Sequence, residues 1–176
     1  MKPLVLSLAL AGALTLTGCS SLVSLNPFVT AEQAVMDPAM LGVWTNADGK
    51  EIYWISQDGT DYKIRYVTDS SDAYQFKGRL TVAADVKLLD LVSANEDGFQ
   101  IAVHTPVRVW IQDNTLRIAF LETDWLKEQA GRQRPTAPTK DRVLITAPGE
   151  AVRIFFTKVA ADPKASDEPE VLHRVQ

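Results

Sequence analysis

Alternation of apolar and polar residues is the feature that most constrains what this chain can fold into. In segment 62–67, Tyr62, Ile64 and Tyr66 share one face of an extended chain. The intervening Lys63 and Arg65 share the other face. The same period of two recurs in four further segments, 76–80, 99–103, 107–111 and 116–120. Strands with one apolar and one polar face are typical of antiparallel sheets, so the pattern predicts a mainly β fold.

Turn sequences separate the alternating segments. Asp-Gly pairs occur at 48–49, 58–59 and 97–98, and Gln112–Thr115 is typical of a fourth turn. Glycine reaches the positive φ that two-residue hairpins require. Together with a first strand at 42–45 and weaker strand patterns at 51–56 and 87–93, these turns predict about eight strands between Gly42 and Leu121. An antiparallel meander of this kind closes into a barrel or a tight sandwich, because closure removes exposed edges.

Helix signals follow the meander. Residues 123–131 begin with a capping threonine and end in glycine, which predicts a two-turn helix. The polar stretch 131–141 predicts a loop, and 142–146 a short strand. Residues 147–161 fit either a strand or a helix. We prefer the helix, capped by Thr146, because it places both phenylalanines on one apolar face.

These patterns divide the chain into a barrel domain with helices over 40–160 and a polar C-terminal tail over 161–176. Within the tail, 171–175 is either a final strand or a frayed end. The length of 176 residues suits one domain. Since Cys19 is the only cysteine, no intramolecular disulfide is expected.

The N-terminus resembles a bacterial lipoprotein signal. Lys2 precedes an apolar run, Leu4–Leu16, which is too short to span a membrane, and Leu16-Thr17-Gly18-Cys19 follows. The resemblance implies a signal peptide over 1–18, cleavage between Gly18 and Cys19, and acyl chains such as palmitate on Cys19. Ser20 resembles the residue that directs lipoproteins to the periplasmic leaflet of the outer membrane. The inner membrane and the cell surface are the alternatives.

The segment after the cysteine is expected to be a tether. Residues 19–39 are assigned to the lipidated N-terminus and tether, and 20–37, if extended, would reach roughly 60 Å. The interpretation allows Phe28, Val29 and Val35 to dock part of it on the body. Removal of the signal takes away Lys2 and no acidic residue, so the side-chain charge goes from −4 to −5. Because no basic stripe is present, nucleic acid is not an expected partner.

Gly42-Val43-Trp44, at the start of the first predicted strand, resembles the G-x-W motif of lipocalins and related bacterial calycin-like barrels. The resemblance implies an antiparallel, lipocalin-like barrel of about eight strands, with Trp44 closing one end and Gly42 permitting close chain approach. It supports a barrel more than it supports ligand carriage, because a fold does not imply a function.

No reaction is predicted. His104 and His173 lack metal-ligand spacing, and the Asp- and Asn-rich turns lack the full spacing of calcium ligands. We therefore predict no catalytic residue, no metal and no cofactor. The remaining candidates are aromatic, and they are Trp44, Trp54, Trp110 and Trp125 as possible ligand or contact residues. A filled barrel core is favoured over a hollow one, and Trp110 is expected to face outward under the 147–161 helix or the Trp125 helix.

Three functions compete. The first is a non-enzymatic binding or interaction module facing the periplasm, which would contact another envelope protein through an aromatic patch or the Arg132/Arg134 loop. The second is a lipocalin-like carrier of a small hydrophobic ligand. The third is an enzyme assembled from scattered carboxylates and His104. We favour the first.

Overall fold

The computed structural model describes residues 21–70, 72–83, 85–94, 101–121, 136–139 and 142–175. The strands within them are β1 (Ser21–Ser24), β2 (Gly42–Thr45), β3 (Ile52–Asp58), β4 (Asp61–Val67), β5 (Ala73–Ala83), β6 (Val86–Ser93), β7 (His104–Gln112), β8 (Thr115–Phe120), β9 (Thr136–Thr139), β10 (Arg142–Ile145) and β11 (Glu170–Arg174). Helix α1 spans Gly149–Ala160, and short 3-10 helices span Pro38–Met40 and Pro163–Ala165.

Eight of these strands form a closed antiparallel barrel. Strands β2 to β8 pair in chain order, and β11 lies between β8 and β2. The expected mainly β fold, with an antiparallel barrel of about eight strands and a C-terminal helix, is confirmed. The two-turn helix predicted for 123–131 lies outside the described residues.

The alternation predicted a strand at 99–103, but the described part of this segment does not form one. Residues 101–103 lie outside any strand, and β7 begins at His104. The pairing of β6 with β7 ends at Val92 opposite His104, so residues 101–103 are not paired with β6. Strand β11 completes the barrel instead, with Leu172 buried opposite Leu116. Of the two alternatives for 171–175, the final strand is correct, and the barrel extends into the segment expected to be a polar tail.

The barrel interior is packed with apolar side chains. One buried cluster combines Met40 of the first 3-10 helix with inward residues of the barrel strands, namely Trp44, Ile55, Tyr62, Ile64, Leu80, Leu89, Val107, Val109, Leu116 and Leu172. Segment 36–41 covers the end at which β2 and β4 begin. There Trp44 donates from Nε1 to the carbonyl oxygen of Met40 at 2.9 Å, and the Tyr62 hydroxyl accepts from the backbone N–H of Asp37 at 2.6 Å. This end is called the covered end below.

A second apolar cluster lies outside the barrel wall. It joins the outward face of β6, including Leu88, to β10, to α1 and to the N-terminal segment. Phe28 and Phe156 meet edge to face in it, with ring centroids 4.9 Å apart. Helix α1 confirms the preferred interpretation of 147–161, although Pro148, and not Thr146, occupies its N-cap position.

From residue 21 onward the segment docks on the body, as the interpretation allowed for Phe28 and Val29, and does not form an extended tether. Strand β1 pairs in parallel with β10 and meets β7 at Ser24 opposite His104. Phe28 and Val29 are fully buried, because α1 and the outward face of β6 provide an apolar surface for them. Val35 stays 43% exposed, although its N–H donates to the carbonyl oxygen of Leu80 at 2.8 Å. The roughly 60 Å reach of an extended 20–37 segment is therefore lost.

Two smaller expectations also change. Within the predicted loop 131–141, residues 136–139 form β9, which pairs with β10 because that strand offers a free edge beside β1. Helix α1, one of the two helices expected to lie over Trp110, packs on β6. Trp110 on β7 faces outward as predicted, but it lies between two arginines, with Arg108 Cζ at 4.6 Å and Arg117 Cζ at 5.7 Å from its ring centroid.

Candidate functional site

Three tyrosines form a row inside the barrel at the end opposite the covered end. Tyr53 on β3, Tyr66 on β4 and Tyr74 on β5 are directly opposite one another in the strand register. Their rings stack with centroid separations of 4.6 Å and 5.9 Å, each at 26° between planes. Such cross-strand aromatic pairs stabilise a sheet and also make a flat ligand platform. We call this the tyrosine end.

A pair of glutamates lies beside the tyrosine row. Glu170 is the first residue of β11, and the Tyr53 hydroxyl donates to both of its carboxyl oxygens at 3.3 Å. Burial, and then the neighbouring Glu51 carboxyl, raise the pKa of Glu170 to about 7. Burial, and then the charge of Glu170, raise the pKa of the Tyr53 hydroxyl. Burial likewise raises the pKa of Tyr66 to about 12.

Near neutral pH, Glu170 can therefore carry a proton or lose it at small cost. In the neutral form it donates one hydrogen bond, and in the charged form it attracts a cation. A bound ammonium or guanidinium group would relieve the repulsion between the two carboxyls and would also interact with the tyrosine faces.

Apolar side chains complete the lining. Phe76, Leu91 and Ile118 are partly buried against the barrel cluster. Phe120, which lies on the same inward face of the sheet, is 41% exposed. Tyr74 is 40% exposed. The tyrosine end thus combines aromatic surface with a few convergent polar groups, the general composition of a small-molecule or contact site.

The three predicted tryptophans that the structure describes do not form one site. Trp44 is fully buried in the barrel, whereas Trp54 is 43% exposed on the outward face of β3. Trp110 lies on the outward face of β7, between its two arginines. Trp125, Arg132 and Arg134 lie outside the described residues, as do Gly18 and Cys19.

The two histidines have separate environments. His104 Nδ1 lies 2.7 Å from Asp90 Oδ1. The other Asp90 oxygen accepts from the backbone N–H groups of Phe28 at 2.9 Å and Val29 at 3.2 Å. The His104–Asp90 pair therefore fastens the N-terminal segment to the barrel. His173 is exposed on β11. Among the described residues, no three acidic, histidine or cysteine side chains cluster as a metal site would require.

The sequence signals for the tyrosine end were incomplete. The aromatic residues were visible, but their alignment depends on the register of three strands. Glu170 belonged to a segment expected to be a tail, so its approach to Glu51 had no local signal. Glu51 directly precedes β3, whereas Glu170 reaches the site only because β11 returns to the barrel beside β2.

Comparisons with known proteins find no protein similar to this chain. No protein-family model matches the chain, and neither the curated proteins nor the solved structures contain a match. Within the part of the chain that the structure describes, no helix has the length and apolar character needed to cross a membrane.

Proposed function

We propose that this protein is a lipid-anchored lipoprotein of the outer membrane that faces the periplasm and acts as a non-enzymatic binding or interaction module. The observation that carries the binding role is the tyrosine end. There a half-exposed aromatic row and a carboxyl pair converge above a packed barrel core. Such a site offers contact surface and hydrogen bonds to a partner without enclosing it.

The packed interior favours contact at the barrel end over carriage inside the barrel. A carrier encloses most of its ligand in a cavity of roughly 300 Å³ or more. Here the inward side chains of the barrel cluster, Trp44 and Leu172 among them, fill the middle of the barrel. The aromatic lining of the tyrosine end nevertheless supports a second candidate, a lipocalin-like carrier that holds a small hydrophobic ligand at this end.

The anchor rests on the sequence around Cys19, and the docked N-terminus adds a geometric consequence. Strand β1 starts at Ser21, so two residue steps separate it from Cys19. Two steps of extended chain reach about 7 Å. Acyl chains on Cys19 would therefore hold the body directly against the lipid headgroups, with β1 and β10 on the membrane side.

Fractionation tests the anchor. Cys19→Ser should move the protein from the membrane fraction to the soluble periplasmic fraction, whereas Ser20→Ala, which leaves the cysteine in place, should not. Retention of Cys19→Ser in membranes after a high-salt wash would contradict lipidation at this residue.

Purification from native membranes, followed by mass spectrometry for lipid and protein, tests the binding role. We expect a protein partner that is retained by the wild type and lost from a Tyr66→Ala/Tyr74→Ala variant. The matched control is Tyr62→Phe, a tyrosine change at the covered end. A hydrophobic small molecule in near-stoichiometric amount would instead establish the carrier.

A further inference from the structure

We propose that an open groove on the outward face of β3 and β4 is a docking surface for an extended acidic segment of a partner protein. The inference goes beyond the proposed function, whose site is the tyrosine end, and rests on it only for the periplasmic location of the partner. The groove has a volume of about 350 Å³ and is lined by Trp54, Ser56, Lys63 and Arg65. It lies on the opposite side of the sheet from the tyrosine row.

Unpaired positive charge marks this surface. Lys63 on β4 and Lys77 on β5 are directly opposite in the register, which brings their Cβ atoms to about 5 Å. Like charges in this arrangement destabilise a sheet. Among the described residues, no carboxylate forms an ion pair with Lys63, Arg65 or Lys77. Asp61, the preceding outward residue of β4, is engaged by Arg79, with Nε and Oδ1 2.6 Å apart.

Trp54 supplies the apolar part of the surface. Its side chain is 43% exposed, and Arg65 Cζ lies 5.8 Å from the ring centroid. Tryptophan and arginine are among the residues most enriched at positions that dominate binding energy in protein interfaces. An apolar or aromatic side chain of the partner would cover the Trp54 ring, and its carboxylates would meet the surrounding cations.

The spacing of the cations matches an extended acidic strand. Lys63 and Arg65 are two residues apart on one face of β4, which places them about 7 Å apart along the strand. Carboxylates at alternate positions of an extended peptide repeat at the same distance. The arginine guanidinium also accepts a carboxylate in a two-hydrogen-bond geometry. Charge and spacing together therefore indicate a peptide with acidic residues at every second position.

The topology places the groove away from the proposed membrane anchor. Strand β3 is four strands from β7 in either direction around the barrel, so the two lie on opposite sides. Strand β1 meets the barrel at β7. In an orientation with β1 at the membrane, the groove faces the periplasm, where a protein segment can reach it and the anchoring bilayer cannot.

Fluorescence anisotropy with a labelled peptide of alternating glutamate and serine tests the inference. We expect saturable binding by the wild-type protein, weakened at least about tenfold by Lys63→Gln/Lys77→Gln and by Trp54→Ala. The control is Lys158→Gln/Lys164→Gln, which removes two exposed lysines elsewhere and should leave the affinity unchanged. Binding should also weaken as salt rises from about 0.05 M to about 0.5 M.

Other outcomes would overturn the inference. Equal weakening by both lysine pairs would show that the peptide responds only to net charge. Stronger binding of the protein without acyl chains to vesicles of phosphatidylglycerol and phosphatidylcholine, lost in Lys63→Gln/Lys77→Gln, would identify a lipid surface as the occupant. A native partner retained by Lys63→Gln/Lys77→Gln but lost on Tyr66→Ala/Tyr74→Ala would exclude the groove as the docking surface and leave the proposed function intact.

Discussion

The guanidinium of Arg174 packs on the ring of Trp44, with its Cζ 4.3 Å from the ring centroid. The same side chain donates from Nη1 to the carbonyl oxygen of Leu41 at 2.6 Å and from Nη2 to that of Ala39 at 2.7 Å. Arg174 thus joins the last barrel strand to the segment over the covered end, and it supplies partners for two carbonyl groups that lie outside regular strand pairing.

Arg174→Ala should lower the free energy of unfolding by about 3 kcal/mol, because two charge-assisted hydrogen bonds and a cation–π contact are lost together. Arg174→Lys should recover less than half, since an ammonium group cannot reproduce the planar fork. Urea unfolding measures both changes. The control is Arg153→Ala, whose arginine pairs with the exposed Glu150 on α1. A destabilisation by Arg174→Ala no larger than that of the control would contradict the assigned role.

Gly42 lies against the same arginine. A Cβ built on Gly42 would meet Arg174 Nη1 at 2.5 Å, and the backbone φ is +133°. Gly42→Ala should therefore destabilise the protein by about 2 kcal/mol, through backbone strain and through displacement of the guanidinium. Gly59→Ala is the control, because Gly59 also has a positive φ but no atom within 4 Å of the added Cβ.

A double-mutant cycle separates the two costs at Gly42. In an Arg174→Ala background, Gly42→Ala should cost less than in the wild type, since the steric term has been removed and only the backbone strain at φ +133° remains. Additive effects of the two substitutions would show that the side chains do not interact. Denaturant midpoints of the four proteins in the cycle give the coupling directly.

The barrel was largely predictable because its hairpins are local. Strands β3 and β4 are joined at Asp58-Gly59, and their alternation fixes which face is buried. Strand β11 was harder to assign, since only Leu172 of its five residues is buried. Docking of the N-terminal segment was not predictable as pairing, because Leu22 opposes Val143, which is far away in the sequence. Long-range parallel pairing leaves no local signal.

The candidate site was predictable in residue type but not in arrangement. The tryptophans were chosen as contact residues, yet the three described ones lie in the core and on two outward faces. The tyrosines converge because Tyr53, Tyr66 and Tyr74 have the same register position on three neighbouring strands. That coincidence follows from turn lengths, and an alternation pattern alone does not contain it.

Asp90→Ala should release the N-terminal segment. The buried carboxylate accepts from two backbone N–H groups and pairs with His104, so its loss leaves three polar groups without a partner. We expect destabilisation by about 2–4 kcal/mol and faster hydrogen exchange at Phe28 and Val29. Asp90→Asn, which keeps an accepting oxygen, should show a smaller effect, and exposed Asp58→Ala is the control. Unchanged exchange at Phe28 and Val29 in Asp90→Ala would contradict this role.

Glu170 should make the stability of the protein depend on pH between about 5 and 8. Its pKa is about 7 in the folded protein and 4.5 in the ordinary side chain, so in this window the folded state holds a proton that the unfolded state releases. The stabilisation is complete below pH 4.5 and is lost as the pH rises through 7. We expect a loss of about 1 kcal/mol, below the full linkage value because Glu170 is half-buried and water screens its charge.

Glu170→Gln removes the titrating group while keeping the size and polarity of the side chain. Its free energy of unfolding, measured in urea at several pH values, should therefore vary less than that of the wild type over this window, with the largest gain relative to wild type at pH 8. Glu168→Gln, an exposed glutamate two residues earlier, should follow the wild-type profile. Parallel profiles for wild type and Glu170→Gln would show that the proximity of Glu51 and the burial of Glu170 do not perturb this carboxyl.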